Sequence, residues 1–519
     1  MGQLSYAVAI LVALANAAAS IEGPIATTAQ GKVIGAVLNS KVNVWKGIPF
    51  AQSPPERFAP PQDPKSYSTR QATSNSPGCI DQFNYPEPAR SNTIDWFFSP
   101  LPVESEDCLY LNIYAPRGNS SITKTNDKHT LKPVLFWIHG GGFSAGYAGG
   151  PQYNGESLAE NHDVVVVAAN YRTNVFGFPA SSELKLNETN LGFLDQRKAL
   201  DWTFENIAGF GGDRKKITLF GQSAGAISIK SLISNPPTPL PFRAAILQSQ
   251  TIGTNGNTAS FTKLASLLNC TTASALACVK AAPAFQIKSI IEHNAIPFGP
   301  LVDNSTFSFD SRVPITSGTA ARIPMIIGTN LDEGSSQAAT ALSAPNASLA
   351  DAFGAILPGG PAAAQMLIDS LKPLYNLTVY NTDQKLGSAI LTDAAFTCPA
   401  SLLTQAIQSA NYTAYRYFYT ASFPAQFPFP DAGAYHGAEI ETIFGTYNHS
   451  ITAMKPLSRT LQSIWAGFAK DPMKEIPGWV KLGDQINEIP SSGVVGKVEA
   501  NVVDSRCQYI NPIIVGMGI

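Results

Sequence analysis

A serine between two glycines, Gly221-Gln-Ser223-Ala-Gly225, follows the short apolar run Ile217-Thr-Leu-Phe220 and precedes Ala226-Ile-Ser-Ile-Lys-Ser-Leu-Ile233. The run reads as a strand and the segment after it as a helix. A serine on so sharp a strand-to-helix turn holds its hydroxyl above a sheet edge, and the crowding two positions away on each side calls for glycine. The amide of Ala224 and the helix N-terminus then point at whatever sits on that hydroxyl. The chemistry on offer is nucleophilic attack with a covalent intermediate. A second Gly-x-Ser-x-Gly stands at Gly142-Phe-Ser144-Ala-Gly146. It leads into Tyr147-Ala-Gly-Gly-Pro-Gln152, a loop rather than a helix, so Ser144 is read as a loop residue and Ser223 as the nucleophile.

A serine hydroxyl needs a base within reach, and the base needs an acid to orient it. Six histidines are available. His129, His162, His293 and His449 sit in a charged loop, ahead of a strand, in a helical stretch and inside a glycosylation sequon. His139 directly precedes Gly140-Gly-Gly142 and reads as a brace for that loop. His436 lies late in the chain, in the Gly-flanked turn Ala434-Tyr-His-Gly-Ala-Glu439, where the order serine, acid, histidine requires the base. Between them Gly328-Thr-Asn-Leu-Asp-Glu-Gly-Ser335 follows an apolar strand and offers Asp332 and Glu333, and spacing alone selects neither. The glycine run after Val134–Ile138 can present bare amides to an oxyanion, together with the Ala224 N–H.

The elements that must position these groups alternate. Leu109–Tyr114 alternates in polarity, while Val134–Ile138, Val164–Ala168, Ala244–Gln248 and Pro324–Gly328 are continuous apolar runs, as in strands buried on both faces. Helical patterns lie at 194–207 and 460–469, the first ended by Gly209-Phe-Gly-Gly212. This alternation means an α/β sheet covered on both faces. Residues 31–38 and 42–45 read as an antiparallel hairpin, 54–103 as a long Pro-, Ser- and Asn-rich loop, and 255–310 and 335–430 as helical insertions above the catalytic edge.

Hydrophobic residues make up 44% of the 519 and charged ones 14%, enough for a large core, and a net charge of −2 provides no basic footprint for nucleic acid. Residues 6–19 are apolar and end in small residues, which reads as a secretory signal peptide over 1–19, with one catalytic domain over 20–519. No other segment is read as a membrane span. Asn-x-Ser/Thr sequons stand at Asn119, Asn187, Asn269, Asn304, Asn346, Asn376, Asn411 and Asn448. Six cysteines, Cys79, Cys108, Cys270, Cys278, Cys398 and Cys507, imply three disulfides in an oxidising compartment, and fifteen pairings are open. The expectation is a secreted glycoprotein of open oligomeric state, needing no metal and no cofactor.

These motifs together resemble the type-B carboxylesterases, the family of cholinesterases, liver carboxylesterases and the larger fungal lipases. The resemblance rests on Glu106-Asp-Cys-Leu-Tyr-Leu-Asn-Ile-Tyr114, Trp137-Ile-His-Gly-Gly-Gly-Phe143, Asn190-Leu-Gly-Phe-Leu-Asp-Gln-Arg197, Phe210-Gly-Gly-Asp213 ahead of the serine motif, Asn330-Leu-Asp-Glu-Gly334 and His436-Gly-Ala-Glu-Ile-Glu441, in order, from about residue 24 onward. It implies an α/β-hydrolase fold and hydrolysis of a small-molecule or lipid ester through an acyl-enzyme. It also implies Glu333 as the acid, Gly141, Gly142 and Ala224 as oxyanion donors, and the pairs Cys79–Cys108, Cys270–Cys278 and Cys398–Cys507. The loop 79–108 becomes a lid or gorge wall, with Trp96 in it, and Ile296 and Phe298 border the acyl group. Cholinesterases carry glutamate before the serine. Gln222 stands there instead, a substrate-binding candidate that removes a charge and points to neutral esters. A lipase, an acyltransferase and a non-catalytic adhesion protein are the alternatives within the same resemblance.

Overall fold

A computed structural model of the chain describes residues 23–117, 131–251, 256–270, 274–308, 310–354 and 360–516. The signal-peptide reading at 1–19, the sequon at Asn119 and His129 lie outside them.

Fourteen strands occur among the described residues: β1 Ile25–Thr28, β2 Gly31–Ile34, β3 Ala36–Val37, β4 Val42–Pro49, β5 Thr69–Gln71, β6 Tyr110–Pro116, β7 Lys132–Ile138, β8 Val165–Ala169, β9 Gly212–Gln222, β10 Ala244–Gln248, β11 Met325–Asn330, β12 Ala414–Tyr419, β13 Gln485–Ile489 and β14 Gly496–Glu499. Eleven form one sheet in the order β3-β4-β6-β8-β7-β9-β10-β11-β12-β13-β14, and β1, β2 and β5 form a small separate sheet. From β8 across to β13 every neighbouring pair is parallel. Both flanks are antiparallel.

The apolar runs follow from this burial. Along β7, Val134, Phe136 and Ile138 face one core, while Leu135 and Trp137 face the other. Ile217 and Leu219 of β9 likewise oppose Phe220, and Met325 and Ile327 of β11 oppose Ile326. Side chains alternate across a strand, so a strand covered on both sides must be apolar at every position. The helix Leu191–Asn206 and the helix Ala224–Ser234 cover the first face, and Met454–Lys470 covers the second. In that last helix Leu457, Leu461, Trp465 and Phe468 are buried at helical spacing, each worth about 1.5–3 kcal/mol of burial. The Trp465 indole N–H donates to Gln248 Oε1 at 3.1 Å, fixing the helix to the end of β10.

Three expectations need correction. Residues 31–38 are not one strand of a hairpin: the chain turns at Gly35, so β2 pairs with β1 in the small sheet and only β3 pairs with β4. The stretch 335–430 is not all insertion, because β12 lies inside the main sheet between β11 and β13. A segment long and apolar enough to cross a membrane does exist: Asp383–Ser409 is helical over 27 residues. Its apolar window is 83% buried within the fold, so its hydrophobicity serves packing. The three disulfides are Cys79–Cys108, Cys270–Cys278 and Cys398–Cys507, the pairs the family likeness implies.

Candidate active site

The parallel strands deliver their C-terminal ends to one edge. Ile138 of β7 is in register with Gly221 of β9, and Gln222 with Gln248 of β10. In an open α/β sheet this edge is where ligands bind. Ser223 sits between the last residue of β9 and the helix Ala224–Ser234, with φ 57° and ψ −123°. Such a backbone costs a non-glycine residue about 1–3 kcal/mol and persists only when its surroundings hold it. The Ser223 N–H donates to the Gln248 carbonyl at 2.9 Å, and its own carbonyl accepts from Ile227 N at 2.9 Å. The flanking glycines answer to a neighbour: a Cβ at Gly225 would stand 2.0 Å from the Ile138 carbonyl oxygen, and one at Gly221 2.7 Å from the same atom.

The chain leaving β7 passes directly beside this turn. A Cβ at Gly140 would lie 3.1 Å from Ser223 Cβ. Gly141 has φ 109°, and the bend closes through Ser144 N and Ala145 N, both donating to the Gly141 carbonyl. His139 braces the loop as expected. It is fully buried, its Nδ1–H donates to the Gly140 carbonyl at 2.9 Å, and its ring stacks on Tyr171 at 4.3 Å. Burial pushes its imidazole down to about 4, so it stays neutral and serves as a strut. Ser144 lies in the bend itself, its backbone carbonyl taken by Gln82 N at 2.9 Å. Ala224 N–H is a first-turn amide of its helix, without an intrahelical acceptor.

After β11 the two adjacent carboxylates separate. Glu333 is fully buried, its Oε2 accepts from His436 Nδ1–H at 2.5 Å, and its Oε1 accepts from Asn330 N at 2.8 Å. Asp332 instead takes the Ala434 N–H on Oδ2 at 2.8 Å and donates its own N–H to the Ala434 carbonyl at 3.1 Å. One acid orients the ring and the other pins the segment that carries it. Burial raises the Asp332 carboxyl above its ordinary value.

Two further residues support the histidine loop and were not anticipated from the sequence. Glu439, buried three residues after His436, accepts from Gln248 Nε2 at 3.0 Å and from Asn330 Nδ2 at 2.7 Å. Burial, with the charge of Glu333 adding to it, raises its carboxyl. The Phe396 ring stands 4.7 Å from the imidazole. The glutamate is visible in the motif His436-Gly-Ala-Glu439; Phe396 carries no sequence signal.

The other imidazole nitrogen of His436, Nε2, lies 2.9 Å from the Gln222 side-chain nitrogen. Gln222 thus faces the His436 ring. The loop closed by Cys79–Cys108 carries three consecutive aromatics: Trp96 packs on Phe429 at 4.9 Å, Phe97 meets Tyr435 at 6.4 Å, and Phe98 packs on Phe83 at 5.1 Å. Phe98 Cε1 would be 3.3 Å from a Cβ at Gly141, so the loop touches the glycine run. Ile296 and Phe298 are placed in a side core with Phe58, Ile80, Val175 and Phe176, a cluster with no residue of the serine turn or the histidine loop.

Comparison with known proteins agrees with this architecture. The model of the Carboxylesterase family matches residues 22–509. The chain is 32% identical over 500 residues to a para-nitrobenzyl esterase of Bacillus subtilis, covering 89% of this chain and 94% of that protein. It is 32% identical over 510 residues to a chlorogenic acid esterase of Aspergillus niger, covering 94% and 90%. It is also 31% identical over 520 residues to human neuroligin-2, of which it spans only 61% while 88% of this chain is covered. The solved structure of a PNB esterase superposes with a TM-score of 0.72 at 29% identity, over 93% of this chain and 98% of that one. With the serine turn, the glycine loop and the glutamate–histidine pair at one sheet edge, this chain belongs to the carboxylesterase family and is a carboxylic-ester hydrolase.

Proposed function

We propose that the protein hydrolyses neutral carboxylic esters outside the cell, through an acyl-enzyme on Ser223. The observation that carries this reading is the Glu333–His436 pair at 2.5 Å, set beside the strained serine turn. Ser223 Oγ attacks the ester carbonyl carbon while its proton passes to His436 Nε2. Glu333 orients the ring and stabilises the imidazolium. The N–H groups of Gly141, Gly142 and Ala224 hold the oxyanion, each worth ~10²–10³ in rate by analogy with known donors. Collapse expels the alcohol, which takes the proton from His436. Water then repeats the sequence on the acyl carbonyl and frees Ser223.

Gln222 puts no charge beside the serine, and the aromatics Trp96, Phe97, Phe98, Phe396 and Phe429 suit an apolar or aromatic ester. The chlorogenic acid esterase among its relatives makes phenolic acyl esters a natural member of any substrate panel. Secretion is supported by the apolar N-terminus, by three disulfides, and by the seven described sequon asparagines, all exposed. A lipase reading has one observation in its favour: Leu101 and Val103 of the disulfide-closed loop are 42% and 78% exposed. A panel of p-nitrophenyl esters from acetyl to palmitoyl plus chlorogenic acid, with and without emulsion, separates the two. Hydrolysis of soluble esters without an interfacial jump is expected; activity appearing only with emulsion favours the lipase, and none on any ester defeats the proposal.

A further inference from the structure

The contact between Gln222 and His436 goes beyond the mechanism just described and rests on it. His436 gives its Nδ1–H to Glu333 at 2.5 Å, so in the neutral ring Nε2 is the unprotonated nitrogen, with one lone pair in the ring plane. The Gln222 amide nitrogen, 2.9 Å away, is a donor only, and it fills that lone pair. This is the same lone pair that must receive the Ser223 proton. Among the described residues the Ser223 hydroxyl has no hydrogen-bond partner. Nor is Gln222 a loose surface group. It is 5% exposed and lies in a slot between two loops. A Cβ at Gly140 would come within 2.7 Å of its Oε1, and one at Gly437 within 3.6 Å of its Nε2.

The surrounding titratable groups do not compete for Nε2. Glu333 is on Nδ1, Asp332 on the Ala434 amide, and Glu439 on Asn330 and Gln248. Tyr435 precedes the histidine in the chain, and the Phe396 wall is uncharged. We infer that Gln222 is a positioning residue that occupies the working lone pair of His436 in the resting enzyme, so that each turnover begins when the Ser223 hydroxyl displaces it. An amide N–H favours the neutral ring. Once the ring is protonated, the amide must turn to present its oxygen, or withdraw. A carboxylate in the same place accepts only, and favours the protonated ring.

The test is the pH profile of kcat/KM for a p-nitrophenyl ester in wild type, Gln222→Glu and the isosteric Gln222→Met. The acidic limb should move to higher pH by about one unit in Gln222→Glu and by roughly half a unit in Gln222→Met, where only the donor is lost. Limbs that superimpose on wild type would overturn the inference. Ring ¹⁵N shifts of His436 in the wild type, assigned with His436→Gln, test it without either variant. A protonated Nδ1 with a hydrogen-bonded Nε2 acceptor is expected, and an Nε2 shift typical of a bare nitrogen would overturn it. Ser223→Ala run alongside separates the two readings: turnover surviving there defeats the hydrolase mechanism, whereas the limbs and shifts speak to Gln222 alone.

Discussion

Asp332 and Glu333 are neighbours in the chain, yet only Glu333 reaches the imidazole. Glu333→Gln should therefore lower kcat by up to ~10⁴ with little change in KM, because an amide that donates to Nδ1 leaves the ring in the wrong tautomer. Asp332→Asn keeps an acceptor for the Ala434 N–H and should cost far less. Steady-state kinetics on one soluble ester compares the two, and equal losses would contradict the division of labour. The residue types of the site were legible because a serine nucleophile calls for a histidine and an acid in fixed chain order. The choice between the two acids was not, since both follow the same strand end and only the path of the backbone decides which side chain turns inward. The contact of Gln222 with His436 was equally hidden: it depends on two loops some 200 positions apart in sequence.

At the scale of elements, the disulfide-closed loop is tied to the glycine run at its base. Gln82 N donates to the Ser144 carbonyl at 2.9 Å, and Asp81 Oδ1 accepts from Gly146 N at 2.9 Å. Asp81 is buried, and burial together with the nearby Glu104 raises its carboxyl to about 8 from 3.8. Lys288 pairs with Glu104 at 2.5 Å on the other side. Between those two values the folded protein holds a proton on Asp81 that the unfolded chain releases. Stability should fall as pH rises from about 4 to about 8 through this group. Asp81→Asn should flatten that slope, read as urea midpoints at pH 5 and pH 8. An unchanged slope contradicts the assignment. The strands β7, β8, β10 and β11 were readable as apolar runs because both sheet faces are covered. The disulfide-closed loop was readable only as a Pro-rich segment. Its short helices at Ala89–Thr93 and Ile94–Phe98 bury no residue completely, so no apolar periodicity announced them.

For the whole molecule, the C-terminal helix Cys507–Gly516 closes over the long helical stretch that begins at Asp383. Cys398–Cys507 spans 109 residues, and the pairs Arg506–Asp393 and Arg416–Asp504 flank it, at 2.5 and 2.7 Å. Replacing both cysteines by serine should lower stability by ~4–5 kcal/mol on the loop-entropy model, since a loop of about 100 residues is freed in the unfolded chain. Urea unfolding measures it, and an unchanged midpoint would show that the ion pairs and packing alone hold the terminus. The α/β class followed from alternating strands and helices. The strand order did not, because β8 slots between β6 and β7 and β12 comes from a stretch dominated by helices; long-range pairing of this kind leaves no local mark. The buried helix Asp383–Ser409 shows the same limit, as hydrophobicity alone does not tell a core helix from a membrane span. The central claim, a covalent intermediate on Ser223, is tested most directly by quenching the enzyme in acid during turnover of a slowly deacylated p-nitrophenyl ester and mapping the acyl group by peptide mass spectrometry. The acyl mass is predicted on the peptide containing Ser223, and absent in Ser223→Ala; an acyl group on the Ser144 peptide, or turnover with no adduct and an active Ser223→Ala, would contradict the account.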